Sequence, residues 1–177
     1  MAYQVVSTNI LFFRPAESAD IPRCLALEEA GYPADEAASF ESLTYRCEKA
    51  PGLFLVAVNS GAQADEIIGF TTGTLTKSDK LEHETMSTHE ESGETLCIHS
   101  VCVEEAHRRG KVGTKMLNSY VKYVQQTTPH IRRICLICKE HLISFYSSCG
   151  FQTVGPSDVV HGQDKWYEMR VEFAETE

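Results

Sequence analysis

TLCIHSVCV at residues 95–103, HRRGKVGTKMLNSYV at 107–121 and RRICLIC at 132–138 together decide the fold. The first run is apolar or β-branched almost throughout, with no glycine or proline, which is the composition of a buried strand. In the second, Met116, Leu117, Tyr120, Val121 and, just beyond it, Val124 recur at the 3.6-residue spacing of a helix that starts at Gly113. Thr128-Pro129 ends that helix, and the third run is another buried strand. A strand, a helix and a strand in this order predict a parallel crossover.

The pattern extends outward on both sides. Upstream, ILFF from Ile10 is a strand halted at Arg14-Pro15. Ser18 is the expected cap of a helix to Gly31, with Ile21, Cys24, Leu25 and Leu27 on its apolar side. Ser39 starts a second helix on which Phe40, Leu43 and Cys47 share a face. Residues 53–58 and 66–75 form a hairpin, and 77–94 is a polar loop with one helical turn at 83–88. Downstream come a short helix at 141–149 and strands at 151–155 and 165–173. The order β-α-α-β-β-β-α-β-α-β-β predicts a single α/β domain over 1–177, with its core at 10–173. Its mixed central sheet carries helices on both faces.

Composition narrows the function classes. A net charge of −9 argues against general nucleic-acid binding, which needs a basic face. No apolar run approaches the roughly 20 residues of a membrane helix. The N-terminal MAYQVVSTNILFFRPAES lacks the basic-then-apolar pattern of a secretory leader. Six of the seven cysteines sit in apolar runs, which suits a reducing compartment, so a soluble cytoplasmic protein is expected. Cys135 and Cys138 have CxxC spacing, but on a strand positions i and i+3 face opposite ways, so neither a metal site nor a redox pair is expected.

RRGKVGTKML at 108–117 is a basic, glycine-containing turn opening a helix. The free N–H groups and dipole of a helix start attract anions. Neither GxGxxG nor GxxxxGK[ST] is present, so on pattern alone anion binding and a plain basic turn are even alternatives. His99 lies on the central strand beside this turn, either as a proton-transfer group or as a hydrogen-bonded core histidine. Glu28, Glu29, Asp35 and Glu36 flank Tyr32 and Pro33. Carboxylates beside an aromatic ring suit an amine, and solvated helix-end charge is the alternative for each.

Taken in order, these segments resemble the GCN5-related N-acetyltransferase superfamily, and within it the arylalkylamine N-acetyltransferases. LICKEHLISFYSSCGF at 136–151, GYPADEAAS at 31–39, SDKLEHETMSTH at 78–89, GPS at 155–157 and KWYEM at 165–169 extend the likeness over nearly the whole chain. The resemblance implies acetyl-CoA as cosubstrate, held by a turn of pattern [RQ]-x-x-G-x-[GA]. Arg108 takes the first place and Gly113 the last, while Lys111 stands where the first glycine is usual and Gly110 lies one residue early. Arg109, Val112 and Thr114 complete the turn. A right-handed backbone at Lys111 is expected, with its ammonium reaching outward to phosphate. The backbone of Val101, Cys102 and Val103 is expected to pair with the pantetheine arm like an added strand.

The resemblance also implies roles. His99 matches the second histidine of a His-x-His pair that relays the amine proton, and Cys97 replaces the first. A buried thiol is a poor base, so His99 would act alone. Tyr146 matches the tyrosine that protonates the departing thiolate; packing beside Phe145 and Phe151 in the core is its other reading. Tyr32, Pro33 and Glu36 are the expected substrate contacts, and His83 and His89 are expected to be exposed. The implied activity is direct acetylation, in a ternary complex, of a primary amine of the serotonin, tryptamine or phenethylamine type. No metal and no covalent enzyme intermediate are expected. Polyamine or diamine acetylation, protein lysine or N-terminal acetylation, and a non-catalytic acyl-CoA-binding module are the alternatives. The Arg-Arg-x-Ser/Thr motifs that recruit a regulatory partner in pineal-type members are absent from MAYQVVSTN and VEFAETE. A monomer active without a phospho-dependent partner is therefore expected.

Overall fold

The computed structural model describes residues 10–61 and 64–174. Seven strands form one sheet: β1 (Ile10–Pro15), β2 (Phe54–Ser60), β3 (Asp65–Thr76), β4 (Thr95–Val103), β5 (Arg133–Cys138), β6 (Gln152–Pro156) and β7 (Tyr167–Glu172). Their spatial order is β1-β2-β3-β4-β5-β7-β6. Every neighbouring pair is antiparallel except β4–β5, which is parallel and joined by helix α3 (Val112–Thr127). The expected crossover and mixed sheet are both present.

Strict alternation along β2 explains the two layers. Phe54, Val56 and Val58 pack with Cys24 and Leu27 of α1 (Ile21–Gly31) and with Leu43 and Cys47 of α2 (Phe40–Lys49). Leu55 faces the other way, joining Leu117, Tyr120 and Val124 of α3 and Tyr146 of α4 (Ile143–Ser148). Each such side chain stabilises the fold by about 1.5–3 kcal/mol on burial. The Tyr120 hydroxyl, fully buried, donates to the Leu53 carbonyl at 2.7 Å, so its polar end is satisfied.

Some local expectations change. Ser18 does not cap α1; Ser18–Asp20 is a 3-10 turn, and the Asp20 carboxylate accepts the Glu17 N–H at 2.8 Å while pairing with Arg14 at 2.6 Å. Ser39 does cap α2, its hydroxyl accepting the Ser42 N–H at 3.2 Å. Phe40 is 46% exposed rather than on the apolar face, where Arg46 lies buried beside Leu43 and Cys47. All seven cysteines are free and buried, and Cys135 and Cys138 fall in different core clusters, as opposite strand faces require. Burial pushes all seven thiols up, Cys138 to about 11 and Cys24 and Cys135 to about 12.

Two features of β4 set the surface around its C-terminal half. Thr72 pairs with Ser100 and Gly73 with Ile98, so His99 is an extra residue, a β-bulge. The bulge reverses the strand's phase. Leu96 and Ile98 face α3 before it, whereas after it Ser100 and Cys102 face α1 and Val101 and Val103 pack beside Met116. Secondly, β4 pairs with β5 only from Thr95 to Ile98. Beyond that point the two strands part, and the C-terminal half of β4 has an open edge.

Candidate active site

The gap between β4 and β5 is the start of a groove of about 510 Å³. One wall is Val101, Cys102 and Val103 with Arg108, Arg109 and residues 111–114; the other is Leu142, Phe145 and Tyr146. Every residue of the expected cofactor set lines it except Gly110, which lies outside. The first turn of α3 holds no acidic residue, so its free N–H groups and the exposed Arg108, Arg109 and Lys111 make one end of the groove electropositive. Arg108 is oriented by its Nε donating to the Val103 carbonyl at 2.9 Å. A Cβ on Gly113 would lie 3.4 Å from the Phe145 ring, so glycine lets α3 approach α4 closely.

The expected right-handed backbone at Lys111 is not found. Lys111 has φ +59° and Arg109 φ +65°, both left-handed, while Gly110 between them is not. Glycine would relieve either position, and the sequence places it at neither.

Tyr32 lines both this groove and a second cavity of about 320 Å³. Its hydroxyl accepts the Val101 N–H at 3.3 Å, at the open edge of β4. Burial pushes its phenol well above the usual range. The second cavity is lined by Glu28, Glu36, Arg46, His99, Ser100, His161 and Trp166, among others.

At His99, hydrogen bonding fixes the tautomer. Thr74 Oγ1 has one proton, which goes to the Thr85 carbonyl at 2.7 Å. It must therefore accept from His99 Nε2–H, also at 2.7 Å, leaving the lone pair on Nδ1. Nδ1 is buried with no partner among the described residues. Burial, with help from the Arg46 charge, pushes the pKa well below 6.5, so the ring is neutral at neutral pH. Cys97 sits elsewhere, fully buried with Leu81 and Cys135, and burial pushes its thiol up.

Tyr146 packs in the core and also reaches the groove. Phe145 and Phe151 pack against it edge-on at 5.0 and 5.9 Å, yet it lines the groove. Burial pushes its phenol up, so it stays protonated.

Glu36 is buried; its Oε1 pairs with Lys139 at 2.9 Å and its Oε2 has no partner among the described residues. His161 Nε2–H donates to the Glu36 carbonyl at 3.0 Å, and Trp166 Nε1–H to the His161 carbonyl at 2.6 Å, which ties the loop before β7 over this turn. Gly162, at φ +65°, lies against Glu36, where a Cβ would meet Oε1 at 2.7 Å. Pro33 is exposed and lines neither cavity; its carbonyl accepts the N–H groups of Glu36 and Ala37, both at 2.9 Å, and so shapes the turn. Glu29 and Asp35 are exposed, as solvated charges. His83 is exposed at the cavity rim, but His89 is partly buried and accepts the Leu75 N–H at 3.1 Å.

Two central residues carry more than the sequence reading gave them: Glu28 figures there only as one of four carboxylates near Tyr32, and Arg46 not at all. Glu28 is only 2% exposed and accepts from Ala38 N–H at 2.9 Å, Ser100 Oγ–H at 3.1 Å and Cys102 Sγ–H at 3.1 Å. Arg46 is 4% exposed, donates from Nη2 to the Met86 carbonyl at 3.0 Å, and leaves Nε and Nη1 without partners among the described residues. Both fall on their helices' buried faces: Glu28 is four residues after Cys24, and Arg46 three after Leu43. That spacing was the available signal. His161 and Trp166 lie outside regular structure; Trp166 falls in KWYEM, which marked the resemblance but no site, and His161 had no signal.

The model of the acetyltransferase (GNAT) family matches residues 21–151. Serotonin N-acetyltransferase of Mesocricetus auratus is 30% identical over 104 residues, covering 59% of this chain and 50% of that protein. The Homo sapiens enzyme of the same name is 27% identical over 103 residues, covering 58% and 49%. The matches thus span about half the length of these curated relatives. Among solved structures, the GphF GNAT-like decarboxylase in complex with isobutyryl-CoA superposes with a TM-score of 0.75 at 19% identity, covering 91% of this chain and 98% of that one. Arabidopsis thaliana NAA60 in complex with acetyl-CoA gives 0.71 at 21%, covering 92% and 98%. At such identities these two likenesses speak for the fold alone.

Proposed function

Because the chain belongs to the acetyltransferase (GNAT) family, we propose that it moves the acetyl group of acetyl-CoA to the primary amine of an arylalkylamine of the serotonin, tryptamine or phenethylamine class. Transfer is direct, with both substrates bound. The observation that carries this is the meeting of two cavities at Tyr32, one electropositive and open along a strand edge, the other holding His99 and Glu36. The relatives named serotonin N-acetyltransferase support the amine class.

Acetyl-CoA supplies the acyl group already activated as a thioester. The start of α3, with Arg108, Arg109 and Lys111, suits its phosphates, and the open edge of β4 at 101–103 suits its extended arm. For the amine, Glu36 Oε2 is a buried acceptor awaiting a donor. His99 is neutral with a free lone pair, the state required of a proton acceptor. Tyr146 keeps its proton and can give it to sulfur. The ammonium first gives up one proton to solvent; as the N–C bond forms and the C–S bond breaks, a second passes to His99 and the sulfur takes one from Tyr146, and proton exchange with solvent restores both side chains. The products are an amide and a free thiol. Cys97 and Cys102 are held as neutral thiols by burial, which argues against a covalent acetyl-cysteine route.

A thiol-release assay with tryptamine, phenethylamine, spermidine and a lysine peptide tests this. Turnover of the arylalkylamines is expected. Preference for spermidine or the peptide would move the substrate class, and intact acetyl-CoA binding without turnover of any amine would overturn the enzyme reading.

A further inference from the structure

We propose that Arg46 selects amines that carry a hydrogen-bond-accepting oxygen away from the amino group, a deepening that rests on the arylalkylamine reading of the same cavity. A buried guanidinium normally has its donors paired, because an unpaired buried charge is costly. Arg46 makes one hydrogen bond, to Met86, and no ion pair is formed to it among the described residues. The carboxylates of the same cavity are otherwise engaged: both oxygens of Glu28 accept bonds from neighbouring groups, and Glu36 pairs with Lys139.

The unpartnered atoms are complementary in kind. Among the described residues, Glu36 Oε2 is an acceptor without a donor, and Arg46 Nε and Nη1 are donors without an acceptor. An ammonium is attracted to the first and repelled by the second, so the amino group and Arg46 belong at different ends of the ligand. A cavity of about 320 Å³ is at the small end of ligand sites, suited to a single small amine. Although Glu28 acts on Arg46 through its charge, an amine with no oxygen would leave Nε and Nη1 without a hydrogen bond, and a site built to hydrogen-bond an oxygen rejects analogues that lack it. The oxygen could belong to a ring hydroxyl or to a carboxylate, and both offer the same acceptor chemistry.

The test compares kcat/KM for tryptamine, serotonin and tryptamine-5-carboxylate in the wild-type protein, Arg46→Met and Arg46→Lys. The wild type should favour an oxygen-bearing amine over tryptamine by about tenfold or more, the discrimination expected of a hydrogen bond to a charged group. Preference for serotonin identifies a hydroxyl, and preference for tryptamine-5-carboxylate a carboxylate. Arg46→Met should erase the preference whatever it does to the tryptamine rate, because any change the lost charge makes at His99 is common to all three amines and cancels in the ratio of their kcat/KM values. If the Met variant does not fold, Arg46→Lys should still narrow the preference, because lysine has no Nε–H at the same place. Equal wild-type rates on the three amines, or an equal loss on all three in the variants, would overturn the proposal and leave Arg46 only its Met86 contact, with the acetyltransferase reading intact. Wild-type turnover of none of them would overturn that reading, and the proposal with it.

Discussion

Lys111→Gly is predicted to make the protein more stable and its hold on acetyl-CoA weaker. Lys111 sits at φ +59° and ψ 16°. A side chain in that region costs about 1–2 kcal/mol, which glycine avoids. Glycine returns about 0.4–1 kcal/mol through the greater freedom of the unfolded chain. The balance is a gain of about 0.5–1 kcal/mol, and for a chain of this size that raises Tm by about 1–4 °C. Lys111 is exposed at the electropositive end of the groove, so losing its ammonium should raise KM for acetyl-CoA about two- to fivefold, the effect of an exposed charge pair. The KM change should shrink at high salt. Thermal melting without ligand and steady-state kinetics separate the two effects, with Lys111→Ala as control. Alanine removes the charge but keeps the strain, so it should raise KM as glycine does and leave Tm unchanged. Equal Tm values for the two variants would refute the backbone reasoning, and an unchanged KM in both would refute the charge.

Other outcomes rest on the same geometry. His99 is held below its ordinary value of 6.5, so the unfolded chain takes up a proton near that pH before the folded one does. Its contribution to stability is present above pH 6.5 and is lost as pH falls; His99→Gln should flatten the urea midpoint between pH 7.5 and 5 and lower kcat at every pH. Tyr146→Phe should lower kcat by about tenfold or more while leaving KM for acetyl-CoA nearly unchanged, and full kcat would remove the donor role. Gly162→Ala should raise KM for the amine and not for acetyl-CoA, because the new methyl group displaces Glu36 from a position where Oε1 is 2.7 Å from it. Equal changes in both KM values would show a general loss of fold.

The β-α-β crossover was legible because its periodicities are long and unmixed: nine residues of buried strand, then Met116, Leu117, Tyr120 and Val124 at helical spacing. The groove followed from that order, since strand, turn and helix place an electropositive helix start beside an open strand edge. Backbone state was not legible. A lysine carries no mark of its φ, and TLCIHSVCV is apolar on both sides of His99, so its alternation shows no break where the bulge falls. Across the bulge, Gly73 has no room for a Cβ against the Cys97 carbonyl, but a glycine in a strand has several possible reasons. The acceptor cavity was half legible. Glu36 came from its neighbours' resemblance and Glu28 only as one of four carboxylates near Tyr32, whereas Arg46 is a charge on an apolar face, where a pattern search discards it as noise. Pro33 drew attention through its company, and its work is done by its carbonyl.

The seven buried thiols have a practical corollary. A disulfide reagent mixed with the folded protein finds every cysteine enclosed and protonated, so colour develops from released coenzyme alone, and turnover can be followed continuously in one cuvette. Without acetyl-CoA, the same reagent becomes a clock for the protein itself: seven equivalents appear only as fast as the chain opens. Any burst ahead of that slow release would locate a segment that breathes separately from the rest.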